Sequence, residues 1–228
     1  MTGQEFLQRL NARIAKYDLL CHPFYKAWAA GKLSREDLRE YAREYFAHVE
    51  AFPAYLDEFA ARQPHGYLRR AVLANREEET GGDGSRSHAD IWLDFFEGMG
   101  GNRNAAGAAH IPEVKKLIAE FYTVAREGAP EEALAAFYAY ESQVPRVAAE
   151  KVRGLREMYA ADEKTCAYFT LHTTADVYHS RVWRNQLERL VVDTPAVEQG
   201  ALTAAEAAAK ALWNALDGIE AARVRRAA

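Results

Sequence analysis

The chain has 228 residues, 49% hydrophobic and 27% charged, the balance of a globular domain with one filled core. A formal net charge of −4, with acids and bases interspersed, argues against a nucleic-acid surface, and no apolar run approaches the roughly 20 residues that cross a bilayer. Two cysteines, Cys21 and Cys166, make no disulfide framework, and the N-terminus carries Glu5 and no apolar signal segment, so a cytoplasmic protein is expected. Thr2 and Glu5 form a capping box ahead of Phe6, Leu7, Leu10, Ile14 and Tyr17 at helical spacing. A short helix around "HPFYKAWAAG" stops at Gly31. Ser34 with Asp37 caps the next helix, which carries Leu38, Tyr41, Tyr45, Val49 and Phe52 and is expected to kink at Pro53. A fourth helix runs from about Gly66 toward Glu79 and breaks at "GGDGS"; a fifth starts near Ser87 and stops at Gly98. After the glycine-rich loop "GMGGNRNAAGAAH", helices cover 112–127, 130–160 with a bend at Pro145, 163–192 and 203–225. No segment alternates like a strand and no Pro/Ser-rich linker divides residues 1–228. The expectation is one domain, an all-α bundle of about nine helices.

Three stretches put ionisable groups where apolar ones belong. In "LHTTADVYHS", His172, Asp176 and His179 fall at i, i+4 and i+7, within a sector of roughly 60°. Tyr168, Ala175, Trp183, Leu187 and Leu190 share that sector, so the trio is expected inside the bundle. One such histidine is ordinarily a hydrogen-bonded core residue; three titratable groups on one apolar stripe need partners, and these are residue types that bind Fe, Mn or Zn. Glu141 lies on the face of Leu134, Phe137, Val144, Ala148, Val152 and Leu155. A salt bridge to Arg146 or Lys151 would explain it blandly; a metal explains it together with the trio. His88 shares a face with Ile91, Trp92, Phe95 and Met99. Among the acids before the glycines, Glu78 aligns with Tyr67, Ala71 and Ala74, and Glu77 and Glu79 fall on more polar flanks. An acid at a helix C-terminus goes against the dipole and is weak support for a bound cation. Glu78, His88, Glu141, His172, Asp176 and His179 thus make a candidate ligand set for two divalent ions, with too many oxygens for a structural zinc site.

The stretches "GKLSREDLREYAREYFAHVEAFPAYL", "YAYESQVPRVAAEKVRGL" and "YFTLHTTADVYH" resemble the CADD-like family, named for the chlamydial protein that associates with death domains. The resemblance runs from about Leu7 to Trp213, and it implies a haem-oxygenase-like fold with TenA and PqqC as relatives. It places the metal ligands on the same six residues, with Glu77 or Glu79 as alternatives to Glu78 because the spacing to His88 is longer than the family's. It implies two ions, Fe/Fe or Mn/Fe, with dioxygen and an external reductant. It further implies formation of para-aminobenzoate for folate by oxidative excision of the protein's own tyrosine, Tyr25, with Lys151 giving the amine and Tyr41 near the site. On periodicity alone Tyr25 is a core residue and Lys151 a snorkelling one. The competing expectation is a di-metal oxidase acting on an external amino acid or fatty acid. A thiaminase would need a cysteine paired with histidine, and a haem enzyme would leave all but His22 unexplained. A homodimer is compatible with the sequence; nothing in it supports death-domain binding.

Overall fold

The computed structural model describes residues 2–82 and 84–227, and all regular structure among them is helical. The expected units are all present, but two are divided, so eleven α-helices stand where about nine were predicted. They are α1 (Gly3–Ala15), α2 (Pro23–Ala29), α3 (Arg35–Arg62), α4 (Tyr67–Thr80), α5 (His88–Gly98), α6 (Pro112–Glu127), α7 (Pro130–Glu141), α8 (Val144–Tyr159), α9 (Glu163–His172), α10 (Ala175–Asp193) and α11 (Glu198–Ala227). No helix among the described residues is long and apolar enough to cross a membrane.

Local chemistry sets most of the boundaries. The predicted capping box of Thr2 with Glu5 forms at α1, and the predicted cap of Ser34 with Asp37 at α3 is itself a capping box. Gly81 ends α4 in the left-handed region at φ +72°, where a Cβ would meet the Ser85 carbonyl oxygen at 2.4 Å. The expected kink at Pro53 leaves α3 unbroken over 28 residues. Pro145 acts more strongly than a bend: its ring opposes the carbonyl of Glu141, so α7 ends at Glu141 and α8 restarts with Pro145 in its first turn. Thr173 and Thr174 divide the other long unit, their hydroxyls turning back to the carbonyls of Thr170 (2.7 Å) and Leu171 (3.2 Å).

α7 is the central helix, buried continuously from Ala133 to Glu141. Its alanines let α11 approach closely through Ala201, Ala205, Ala208 and Ala209, and α10 packs beside it. α3 backs the other side, against α4, α5 and α6, while α9 packs between α5 and α8 and α2 lies on α8. α11 is thus a packed bundle helix, as its sequence suggested, with Arg226 reaching Asp37. Two consequences position the site. The ends of α4, α7 and α9 and the starts of α5 and α10 converge, and the short α2 is pressed against α8 beside them.

Candidate metal centre

The six predicted positions converge with one change. Glu79, His88 and His172 form one buried group, and Glu141, Asp176 and His179 a second, each with its ligand atoms within 4.8 Å of one another. The change is in α4: Glu79, not Glu78, faces His88 and His172. The inward stripe of that helix is Val72, Asn75 and Glu79. Tyr67, on which the alignment of Glu78 rested, is 55% exposed. Glu78 projects outward, its side chain 53% exposed, yet its Oε2 lies 3.0 Å from His179 Nε2. Glu77 is exposed.

The two groups adjoin. The rings of His88 and His172 meet edge-on at 4.7 Å, and a cavity of about 10 Å³ is lined by Glu79 and His172 from one group and Asp176 from the other. Because Thr173 and Thr174 interrupt the helix, His172 closes α9 while Asp176 and His179 open α10. That break sends His172 to the first group and its former neighbours to the second.

The donor set fits two divalent ions on observations of this chain. His172 uses Nδ1 on the Tyr168 carbonyl at 2.7 Å, which fixes the ring and leaves Nε2 for a ligand. His179 Nδ1, Asp176 Oδ2 and His88 Nδ1 are buried without a hydrogen-bond partner. His88 Nδ1 lies 2.8 Å from Glu79 Oε2, but the angle is not that of a hydrogen bond. Buried polar atoms aimed at one another and left unpaired are costly, and a cation between them satisfies all at once. Glu141 is gripped on both oxygens, by Asn75 Nδ2 at 2.9 Å and by the Trp183 indole N–H. Neither bland partner reaches it: Arg146 pairs with Asp18, and Lys151 with Tyr41.

The electrostatics point the same way. Burial raises the pKa of Glu141, with Asp176 adding to it. Burial opposes protonation of His179, but Asp176, Glu141 and Glu78 outweigh it and raise its pKa; His88 is raised likewise, chiefly by Glu79. Glu79 is held below the usual carboxylate value, against its burial, by His88. The raised values at Glu141, His179 and His88 favour protons there, which bound cations would displace.

Next to the metal groups lies an aromatic compartment. Tyr25, Tyr41 and Lys151 come together in it, although α2, α3 and α8 bring them from distant parts of the chain. Lys151 Nζ donates to Tyr41 Oη at 2.5 Å, and Tyr41 Oη lies 3.1 Å from Tyr25 Oη. The amine sits 4.7 Å from the centre of the Tyr25 ring, with Trp28, Trp92 and Phe169 around it and no carboxylate partner among the described residues. Burial alone holds its pKa well below the ordinary lysine value and raises that of Tyr25. Tyr45, Tyr140 and Tyr168, which the sequence did not single out, connect the compartments: Tyr140 and Tyr168 line both the metal-side cavity and the one beside Tyr25 and Lys151, Tyr45 lines the second, and Tyr168 stacks on His172 at 4.0 Å. Asn75 and Trp183 were missed as well; a polar residue one turn before Glu79 on the same stripe was the available signal for Asn75. His22 is a cap, with Nδ1 accepting from Phe24 N–H and Nε2 against Asp217, so both nitrogens are engaged. Cys21 is exposed and Cys166 buried, and both are free.

Residues 39–213 match the protein family described as iron-containing redox enzyme. The chain is 36% identical over 230 residues to a 4-aminobenzoate synthase of Nitrosomonas europaea, covering 96% of this chain and 92% of the relative. It is 32% identical over 214 residues to a 4-aminobenzoate synthase of Chlamydia pneumoniae, covering 92% and 93%. Among solved structures, a domain with a haem-oxygenase-like fold from Shewanella denitrificans superposes with a TM-score of 0.80 at 16% identity, covering 98% of this chain and 94% of the other, which establishes the fold alone.

Proposed function

Because the chain belongs to the family of iron-containing redox enzymes, we propose that it forms 4-aminobenzoate from its own Tyr25, with Lys151 as amine donor and a di-metal centre as oxidant. Glu79, His88 and His172 would hold one ion and Glu141, Asp176 and His179 the other. Two iron ions, or manganese with iron, would there activate dioxygen with electrons from an external reductant.

The single observation that carries this reading is the placement of an amine with depressed basicity at the phenol of a buried tyrosine. In 4-aminobenzoate a nitrogen stands para to a carboxyl carbon; in tyrosine a hydroxyl stands para to Cβ. The conversion replaces the ring C–O bond by C–N, releasing the Tyr25 oxygen as water and breaking Lys151 Cε–Nζ to leave Cε oxidised. At the other end it breaks Cα–Cβ and oxidises Cβ to the carboxyl, with dioxygen as the oxidant and the external reductant balancing the electrons. Tyr41 bridges the groups exchanged, accepting from Lys151 Nζ and leaving its own proton free for Tyr25 Oη. The chain's residues thereby orient the nucleophile and polarise the C–O bond. Burial keeps the amine's lone pair available, since a protonated lysine is not nucleophilic. The aromatic walls leave little room for water to compete with it.

The reading with an external substrate is disfavoured by space. The cavities lined by the metal-side residues and by Tyr25 and Lys151 measure about 10 and 30 Å³. That is room for a water or two, not for an amino acid or fatty acid. The test is intact-protein mass spectrometry after loading with Fe(II), or Mn(II) and Fe(II), then reductant and dioxygen. The wild-type chain is expected to lose mass and release no more than one 4-aminobenzoate per chain. Tyr25→Phe should keep its metal and its mass, and Lys151→Arg should give no aminated product. Many turnovers on an added substrate, with the chain intact, would overturn the proposal.

A further inference from the structure

The walls around Tyr25 do not depend on Tyr25. Trp28 and Tyr41 meet edge-on at 5.7 Å, and Trp28 also packs on Phe95 at 6.0 Å. Trp92 is anchored by its indole N–H to the Ala42 carbonyl at 2.8 Å and packs on Phe169 at 5.6 Å. These rings come from α2, α3, α5 and α9, are at most 2% exposed, and are each held by partners other than the tyrosine. A cavity whose lining is fixed from several elements collapses only in part when a side chain is removed. The void already beside the ring, about 30 Å³, would then merge with the space of a whole phenol.

We propose that the chamber vacated by the Tyr25 side chain is a binding site for neutral para-substituted phenols and anilines. That the native chain opens this chamber rests on the excision proposed above; the site's affinity for such ligands does not. Its walls are flat aromatic faces, which suit a planar ring. Its polar end is the Tyr41 hydroxyl, now 3.1 Å from the Tyr25 oxygen, which would bond a ligand hydroxyl or amine in the same position. The Lys151 amine lies over the same ring face, and the chamber holds no carboxylate to receive a cationic ligand. A largely buried, mainly apolar cavity of ring size binds small aromatics.

The test uses metal-free Tyr25→Ala protein, so that it is independent of oxygen chemistry. Isothermal titration with 4-methylphenol and with 4-methylaniline should show one saturable site per chain, and the wild-type chain should show none. Adding Tyr41→Phe should weaken 4-methylphenol roughly two- to tenfold, the share of one hydrogen bond, and leave toluene unaffected. Should Tyr25→Ala fail to fold, as read by circular dichroism, Tyr25→Val keeps a branched stub on α2 and is titrated in its place. A folded variant with no saturable binding overturns the proposal, whatever the wild-type chain does with dioxygen. An intact wild-type mass after metal and dioxygen would overturn only the excision.

Discussion

Glu79 is the residue on which the structure changes the reading most. Its carboxylate faces His88 and His172, while Glu78 is half exposed and touches only the outer nitrogen of His179. The two are therefore separable by substitution. Glu79→Gln should lower bound metal by about one ion per chain, measured by elemental analysis, because a neutral amide is a poor ligand for a hard cation. Glu78→Gln should retain both ions. Equal losses in the two variants would place Glu78 in the ligand set after all. The misreading has a physical origin. Three consecutive glutamates put one acid on nearly every face of a helix end, and the small Ala71 and Ala74 carry little weight in choosing the buried one. Val72 and Asn75 do choose it, and both are at most 2% exposed. At His172, Asp176, His179 and Glu141 the flanking residues are large and apolar, so each side chain's inward direction was legible without the structure. Tyr25, Tyr41 and Lys151 were not legible from periodicity, since their meeting depends on how α2, α3 and α8 pack.

At the scale of elements, the seam between α2 and α8 sets the distance from Lys151 to Tyr25. Gly154 lies one turn after Lys151, and a Cβ there would meet Trp28 Nε1 at 2.7 Å and Cδ1 at 2.8 Å. Arg153 ties the same seam by donating to the Ala29 carbonyl at 2.9 Å. Gly154→Ala should push α2 away from α8. It should lower stability by roughly 1–3 kcal/mol, as overpacking does, in a denaturant titration. It should also cut the yield of aminated product while metal content stays at the wild-type level. Unchanged yield would show that the seam does not position the amine. The helical units themselves were legible because caps, glycines and apolar stripes mark them. The two divisions were less so: Pro145 announced a bend, but that it ends α7 at Glu141 follows from the carbonyl it opposes, and the turn at Thr173 and Thr174 has only weak sequence marks.

Across the whole molecule, burying so many ionisable groups makes stability depend on pH. His48 is the clearest instance outside the site. It is fully buried among Tyr45, Phe121 and Tyr140, its Nε2 has no partner, and burial pushes its pKa down to about 3. Below its ordinary value near 6.5 the unfolded chain takes up a proton that the folded chain refuses until about pH 3. His48 therefore lowers stability as pH falls through that window, by about 1.4 kcal/mol per pH unit. His48→Phe should lack this slope, so the stability difference between variant and wild type, followed by denaturant titration from pH 7 to 4, should grow as pH falls. Parallel curves would mean that His48 accepts a proton while folded.

In the proposed reaction the aromatic ring of the product comes from the protein itself. Chain prepared with ring-¹³C tyrosine, loaded with metal and exposed to reductant and dioxygen in the presence of unlabelled free tyrosine, tests it directly. Excision of Tyr25 predicts 4-aminobenzoate with a fully labelled ring, at no more than one per chain, with the loss mapped to Tyr25 by peptide mass spectrometry. Unlabelled 4-aminobenzoate, or labelled product from a chain still intact at Tyr25, would contradict it.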